Sequence, residues 1–473
     1  MVSFLISIAV LILGFFVYGK IVEKVFGVDE DRKTPAVRLE DGVDFVPLPS
    51  WKIFLIQFLN IAGLGPIFGA IAGALWGPVA FLWIVFGCIF AGGVHDYFSG
   101  MLSVRHDGGS IPEVVGKYLG NGFKNFMRIF SIVVLVLVGV VFIMGPAGLL
   151  AGLTPKSLSK TYWIYIIFIY YLIATLVPID KLIGKIYPIF GITLLIMALG
   201  VSGGLLIKGY TIPEITLANM HPKQLPIWPL LFITIACGAI SGFHSTQSPL
   251  MARCITNEKQ GRTIFYGSMI AEGIVALIWA AAAMSFFGGT GQLSEAMAAN
   301  GGAAYVVDVI SKTLLGPIGG ILALIGVVAC PITSGDTAFR SARLIIADFL
   351  KFKQGPIKNR LAISIPLFII GFILTKINFN VIWRYFAWSN QTLAMVVLWA
   401  SAMYLILNDK FHWIATIPAT FMTAVSITYI LVAPEGFKLP TSLAYPLGIA
   451  SAILAFILFF TQSKKAKNLK SIK

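Results

Sequence analysis

Charge is what this 473-residue chain has least of: 12% of its residues are Asp, Glu, Lys or Arg, against about 25% in an ordinary soluble domain. So few charges cannot cover the surface of a soluble fold of this length. The hydrophobic residues, 58% of the chain and 36 Phe among them, run along its whole length and are not gathered in one anchor. A soluble enzyme is excluded, and a polytopic membrane protein is expected. Cysteine is scarce as well. Cys88, Cys237, Cys254 and Cys330 form no CxxC pair and lie in or beside apolar segments, which excludes a disulfide framework and a zinc ribbon. The five histidines are scattered, and HExxH, GxSxG and P-loop motifs are all missing. No polar stretch is large enough for a catalytic lobe, so no enzyme activity, cofactor or metal is expected.

What the chain does have is apolar runs of spanning length. Thirteen are expected, near 2–23, 52–76, 77–101, 126–152, 162–178, 185–207, 228–252, 263–288, 317–338, 361–375, 379–407, 412–432 and 443–462. The loops after the odd-numbered runs, with the tail, hold 27 of the 35 Lys and Arg. That asymmetry puts this basic face in the cytoplasm, the amino terminus outside and the carboxyl terminus inside a bacterial or archaeal cell membrane. The net charge of +15 is then a matter of topology with some attraction to anionic lipid, and a nucleic-acid partner is discarded. Lys20 follows the first run and no small-residue cleavage site is evident, so that run is read as a retained helix. Residues 24–50 form the most polar loop. Residues 289–316 are expected as an outside loop holding a short amphipathic helix through Tyr305, Val309 and Lys312.

Two runs are poor helices in their middles. FLNIAGLGPIFGAIAGALWGP (58–78) carries Asn60, Gly63, Gly65, Pro66, Gly69 and Gly73; ACGAISGFHSTQSP (236–249) carries Gly238, Ser241, Gly242, His244, Ser245, Gln247 and Pro249. Gly and Pro cost about 1 and 3 kcal/mol inside a helix, and freed backbone groups in hydrocarbon need partners. GxxxG spacing of the Gly65, Gly69, Gly73 kind commonly serves close helix packing alone. Position argues for more. The first broken segment opens a group of five spans, 52–207, and the second opens the next five, 228–407. Five is odd, so the two groups enter from opposite sides, the pattern of a transporter with its site at the midplane. Residues 1–51 add one helix and a cytoplasmic loop, and 408–473 add two helices and a basic tail. The fold class expected is an all-α polytopic protein with a five-plus-five inverted repeat and a discontinuous first helix in each repeat.

The stretches NIAGLGPIFGAIAGALWGP (60–78), GGVHDYFSGMLSVRHDGGSIPEVVG (92–116), GAISGFHSTQSPLMARCITNE (238–258) and CPITSGDTAFRSAR (330–343) closely resemble the carbon starvation protein A family. The resemblance runs from the first helix to about residue 430. It implies a transporter for peptides or pyruvate, coupled to protons, grouped with the amino acid–polyamine–organocation carriers and so built on the same LeuT-like inverted repeat. The chain is shorter near its C-terminal end than the long enterobacterial members.

Ionisable groups inside spans are functional candidates by default. His244 can carry a coupling proton or bind a substrate carboxylate; a neutral histidine bonded to a freed carbonyl is the alternative. Glu272, nearly central in 263–288, is a proton carrier or a protonated donor within the bundle. Asp336 and Arg340 stand at i,i+4 and can pair on one helix face, as a structural ion pair or as relay and gate. Thr333 and Ser334 match, by position in carriers of this architecture, a helix that supplies hydroxyls to a sodium site; a hydroxyl bonded back to its own helix is the alternative. His95 and Asp96 are expected near the cytoplasmic end of their span as a gate or ion-pair network, His95 sharing a face with Ser99 while Asp96 points elsewhere. With His106 they match no standard metal-ligand spacing. Asn60, Gln57, Asn390 and Gln391 can bond a substrate or another helix. Asn60, Gly63, Gly65, Pro66, Ser241, Gly242, His244, Ser245 and Gln247 are the expected substrate contacts, and His244, Glu272, Thr333, Ser334 and Asp336 the expected coupling residues. The leading expectation is a proton-coupled symporter, with sodium as the other coupling ion; a channel and a nutrient sensor are the alternatives.

Overall fold

A computed structural model describes the chain except residues 43, 177–178, 355 and 472–473, and leaves undescribed the side chains of 153, 179–186, 300, 323–324 and 469–471. Lys181, Lys185, Lys470 and Lys473, four of the basic-face cations, therefore lie outside the described side chains. The described residues form helices and connecting turns, with no strand among them. In order they are α1 (Val2–Phe26), α2 (Ser50–Ile61), α3 (Gly65–Trp76), α4 (Val79–Arg105), α5 (Ile111–Leu119), α6 (Asn121–Leu153), α7 (Lys160–Leu176), α8 (Ile179–Ile207) and α9 (Leu230–Thr234). Then come α10 (Gly242–Ala252), α11 (Glu258–Phe286), α12 (Thr290–Asn300), α13 (Ala303–Leu324), α14 (Cys330–Leu350), α15 (Ile357–Leu374), α16 (Phe379–Leu407), α17 (Trp413–Val432) and α18 (Thr441–Ser471).

Ten of the described helices are long and apolar enough to cross a membrane, eleven if the pair α2 and α3 counts as one span. α7 is apolar but shorter, and α9 with α10 is interrupted. The chain is thus a multi-pass, all-helical membrane protein. Its sides are internally consistent. The Met1 ammonium donates to the Ile212 carbonyl at 2.7 Å and to Glu214 at 2.6 Å, joining the amino terminus to the segment after α8. The ammonium bond to Glu214, with those from Ser3 and the Val2 amide, holds the exposed Glu214 carboxyl down at about 2. On the opposite, basic face, Arg105 at the end of α4 reaches Glu258 at 2.8 Å and the Gly27 carbonyl at 2.6 Å.

The short helix expected within 289–316 is present, since the first half of α13 carries Tyr305, Val309 and Lys312, and a second helix, α12, precedes it. The expected span at 317–338 is helical, running from the kink at Gly316 through the second half of α13 into α14. Gly316 has φ +63°, a left-handed conformation that favours glycine, and Pro317 follows it; together they bend α13 before a wide turn over Ile325–Ala329 leads into α14.

The breaks lie at residues 62–64, where α2 and α3 meet at 53°, and at 235–241 between α9 and α10. The second break is nearer its amino end than the polar run suggests, so His244, Ser245 and Gln247 belong to the ordered helix α10. The two breaks touch. A Cβ on Gly65 would sit 2.3 Å from Cys237 Sγ, so only glycine permits the approach. Freed backbone groups are satisfied by side chains, as hydrocarbon demands. Ser334 of α14 donates to the Leu59 carbonyl at 3.1 Å, and Trp83 of α4 to the Ile235 carbonyl at 3.0 Å. From α16, Gln391 donates to the Ile240 carbonyl at 3.0 Å and Asn390 accepts from the Phe243 amide at 2.9 Å. Asn390 and Gln391 thus serve the backbone of the broken segment.

Candidate functional site

The first turn of α10 presents His244 toward α4 and α11, the helices packed beside it. His244 Nδ1 lies 2.9 Å from Asp96 Oδ2 on α4, and its Nε2 lies 3.3 Å from Glu272 Oε2 on α11. The other Asp96 oxygen takes His95 Nδ1 at 2.7 Å. All four side chains are completely buried. They form one row: His95, Asp96, His244, Glu272. The expectation that His95 and Asp96 diverge is corrected, because the Asp96 carboxylate divides its oxygens between its neighbour's ring and the ring of α10. Nor do they sit at the end of α4, which continues to Arg105. Ser99 bonds the Asp96 carbonyl at 3.0 Å and Ser248 at 3.2 Å, tying α4 to α10 one turn below the row.

The arrangement constrains protons. Each nitrogen of the His244 ring faces a carboxylate oxygen. A neutral imidazole donates from one nitrogen and offers a lone pair at the other, so with both carboxylates ionised one contact would set lone pair against oxygen. One more proton in the row, on the ring or on a carboxyl, would remove that conflict. A charge in such surroundings is tolerable only when paired. The contact to Glu272 is close but not aligned as a straight hydrogen bond, and both Glu272 oxygens lack a hydrogen-bond donor among the described residues.

Other expected contacts divide into occupied and unoccupied groups. Ser245 Oγ donates to the Gly242 carbonyl at 2.7 Å, and Ser241 receives only a weak contact from Cys237 Sγ at 3.5 Å. Gly63 faces the Phe142 ring, where an added Cβ would come within 2.8 Å, and Pro66 opens α3. Asn60 at the end of α2 and Gln57 one turn earlier are fully buried, and neither amide has a hydrogen-bond partner among the described residues. Gln247 donates to Thr246 at 2.9 Å and to Ser341 at 3.4 Å but leaves its oxygen unpaired. Buried amides without partners are what a polar ligand would satisfy.

The third set lies on α14. Thr333 and Ser334 bond back to the Cys330 carbonyl at 2.7 and 3.1 Å. Asp336 and Arg340 stand 3.7 Å apart, and Arg340 also donates to the Ala174 carbonyl at 3.0 Å. This set is separate from the row in its contacts.

A cavity of about 1200 Å³ opens on the face opposite the basic one, between α3, α6, α13 and α16. Lys160, Lys376 and Asp308 stand in its wall, and Phe68, Met144 and Trp383 are at its inner end. There Phe68 meets Trp383 with ring centres 6.1 Å apart, Trp383 meets Phe386 at 5.4 Å, and Phe142 bridges Phe386 to Phe243 at 6.3 and 6.0 Å. Phe243 adjoins His244, so an aromatic floor separates the cavity from the row. These aromatics were not singled out from the sequence. The signal was present in register, since Trp383, Phe386 and Asn390 fall at i, i+3 and i+7 on one face of α16.

The chain matches the family described as carbon starvation protein CstA over residues 1–156 and 149–314. It is 45% identical over 351 residues to an uncharacterized membrane protein of Haemophilus influenzae, covering 63% of this chain and 95% of that one. It is 24% identical to the peptide transporter CstA of Escherichia coli, over 89% of this chain and 79% of that one. It is 28% identical to the pyruvate/proton symporter BtsT of the same organism, over 58% of this chain and 48% of that one. Among solved structures, MhsT in complex with L-phenylalanine superposes with a TM-score of 0.57 at 14% identity, over 88% of this chain and 99% of that one. The nucleobase-cation-symport-1 family transporter Mhp1, closed on bromovinylhydantoin, gives 0.53 at 15%, over 88% and 93%. At these identities the likeness is one of fold.

Proposed function

The chain belongs to the carbon starvation protein CstA family and is a membrane transporter, and on that premise we propose that it imports short peptides or pyruvate together with protons by alternating access. The observation that carries the reading is the row Asp96, His244 and Glu272, three ionisable groups buried side by side beside the second break, where a proton could be taken up and released. The aromatic floor supports it from the other side. Substrate would collect in the 1200 Å³ cavity, drawn by Lys160 and Lys376, while Asp308 is paired to Lys312 at 2.8 Å. It would then pass the floor to reach Asn60, Gln247 and the amino ends of α3 and α10, whose dipoles favour a carboxylate. His95 and Asp96 act, in this reading, with the coupling residues and not as a separate gate. Asp336 and Arg340 hold α14 to the end of α7. Two inverted five-helix units, 52–207 and 228–407, thirteen spans, an outside amino terminus and a cytoplasmic carboxyl terminus complete the proposal.

A second reading replaces the proton by sodium. It is favoured by the hydroxyl of Ser334 bridging the carbonyls of Leu59 and Cys330, each at 3.1 Å, where a helix hydroxyl meets a broken-helix carbonyl. One experiment separates the two. Proteoliposomes are given labelled pyruvate or a labelled dipeptide under an inward proton gradient without sodium, then with sodium and no proton gradient. Accumulation in the first condition, abolished in His244→Ala, is the expected result and names the substrate class. Accumulation only in the second assigns sodium. Equilibration without accumulation points to a channel, and no uptake of either compound to a sensor or another substrate.

A further inference from the structure

The loop between α1 and α2 is the most charged part of the chain, and it is pinned to the basic face. The amides of Val46 and Leu48 donate to the carbonyls of Arg253 and Cys254 at 3.2 and 3.1 Å, just beyond α10, and the Asp29 amide donates to Glu258 at 2.9 Å. Where its single turn Pro35–Arg38 crosses the end of α4, a pocket of about 230 Å³ remains. Arg32, Lys33, Thr34, Arg38, Arg105 and Asp107 line it. That size suits a small headgroup and falls short of a drug-sized ligand.

Its charges do not balance from within. Arg105 is engaged by Glu258, and Arg38 is paired with Asp107. Arg32 lies 3.9 Å from the same Glu258, already taken by Arg105, and Lys33 makes no ion pair among the described residues. Four cations thus face two carboxylates, a surplus of two positive charges. A second observation points to a ligand: Thr34 is fully buried in the wall, and its hydroxyl has no partner among the described residues. Guanidinium, ammonium and hydroxyl donors converging with a double positive surplus are a phosphate-binding set.

We propose that this pocket binds a phosphate-bearing anion that clamps the loop between α1 and α2 against the end of α4. The loop leads directly into α2, the basic-face half of the first broken helix, so its release is a step in any outward swing of α2. An occupant there holds the basic face closed. The phosphate can belong to a lipid headgroup, since the pocket is juxtamembrane, or to a free phosphorylated solute.

The test reads the loop itself, because trypsin cleaves after Arg32, Lys33 and Arg38. The full-length protein in phosphatidylcholine nanodiscs is digested in inorganic phosphate or in chloride of equal ionic strength, and in phosphatidylglycerol nanodiscs in chloride. Digestion is repeated with Lys33→Gln, which keeps the sites at Arg32 and Arg38, and with Thr34→Val, which keeps all three and the side-chain volume. Cleavage slowed about tenfold, as for a ligand near ten times its dissociation constant, and no slowing in either variant is the expected result. Protection by inorganic phosphate identifies a free anion; protection by phosphatidylglycerol alone identifies a lipid headgroup. Equal cleavage in every condition, or equal protection of both variants, overturns the proposal.

Discussion

Asp96 and His244 are separated by 148 positions in the chain and meet at 2.9 Å, Oδ2 to Nδ1, with neither side chain exposed. Removing one member of such a pair uncovers the other in surroundings that cannot solvate it. In Asp96→Asn the carboxamide can still pack but cannot share the row's proton. Gradient-driven accumulation is expected to fall about tenfold or more, within the range of ordinary site-to-site coupling. Exchange of labelled for unlabelled substrate without a gradient should persist. Loss of both activities together would assign Asp96 to substrate binding or to folding instead.

Asn390 accepts from the Phe243 amide of α10 and Gln391 donates to the Ile240 and Phe232 carbonyls on the two sides of the break, so either replaced by Ala leaves backbone groups without a partner at membrane depth. Each substitution is expected to cost about 1–3 kcal/mol, read as a lower thermal unfolding midpoint in detergent. Thr420→Ala, which removes a hydroxyl bonded only to the carbonyl of Thr416 on its own helix, should change the midpoint little.

Gly65→Ala would drive a methyl group into Cys237, where Sγ would be 2.3 Å away and Cβ 2.4 Å. Transport by Gly65→Ala should therefore be lost. Cys237→Ala should not restore it, because the Cβ remains, whereas Cys237→Gly should restore it at least in part. Rescue by both would mean that the sulfur alone sets the spacing of the breaks.

His106 lies beyond the end of α4 on the basic face. Burial first, and then the Lys117 ammonium 3.2 Å from Nδ1, push it down to about 4. The folded protein therefore binds this proton less readily than the unfolded chain, whose histidine titrates near 6.5. The His106 contribution is intact above pH 6.5 and declines as pH falls from there toward 4. His106→Gln should flatten the stability profile in that window, measured as unfolding midpoint against pH. An unchanged slope would show that the ring protonates freely in the folded state.

Much of the fold was legible because hydrocarbon imposes simple rules. Long apolar runs gave most helices, and Gly63, Gly65 and Pro66 marked a break because they interrupt the run that opens a group of five, a position that close packing alone does not account for. The second break was displaced in the reading, since Gly238, Gly242 and Pro249 look alike in sequence while only the first lies in unwound chain. Pro249 sits inside α10. The candidates His244, Glu272, His95 and Asp96 were each visible from the cost of burying them. Their union was not, because it depends on how α4, α10 and α11 cross, and no local spacing records a crossing. Residue adjacency even argued against His95 and Asp96 acting together. The floor aromatics were hidden for another reason: in a chain with 13% aromatic residues, no single ring stands out.

α16 does two jobs along one face. Trp383 and Phe386 form part of the floor, and Asn390 and Gln391, within two turns, hold the ends of the second break. A tilt of this helix that widened the outer cavity would pull at the same moment on the start of α10, and so on the ring of His244. The opening above and the buried ring below are thereby geared to a single lever, with no need for a signal to travel across the protein.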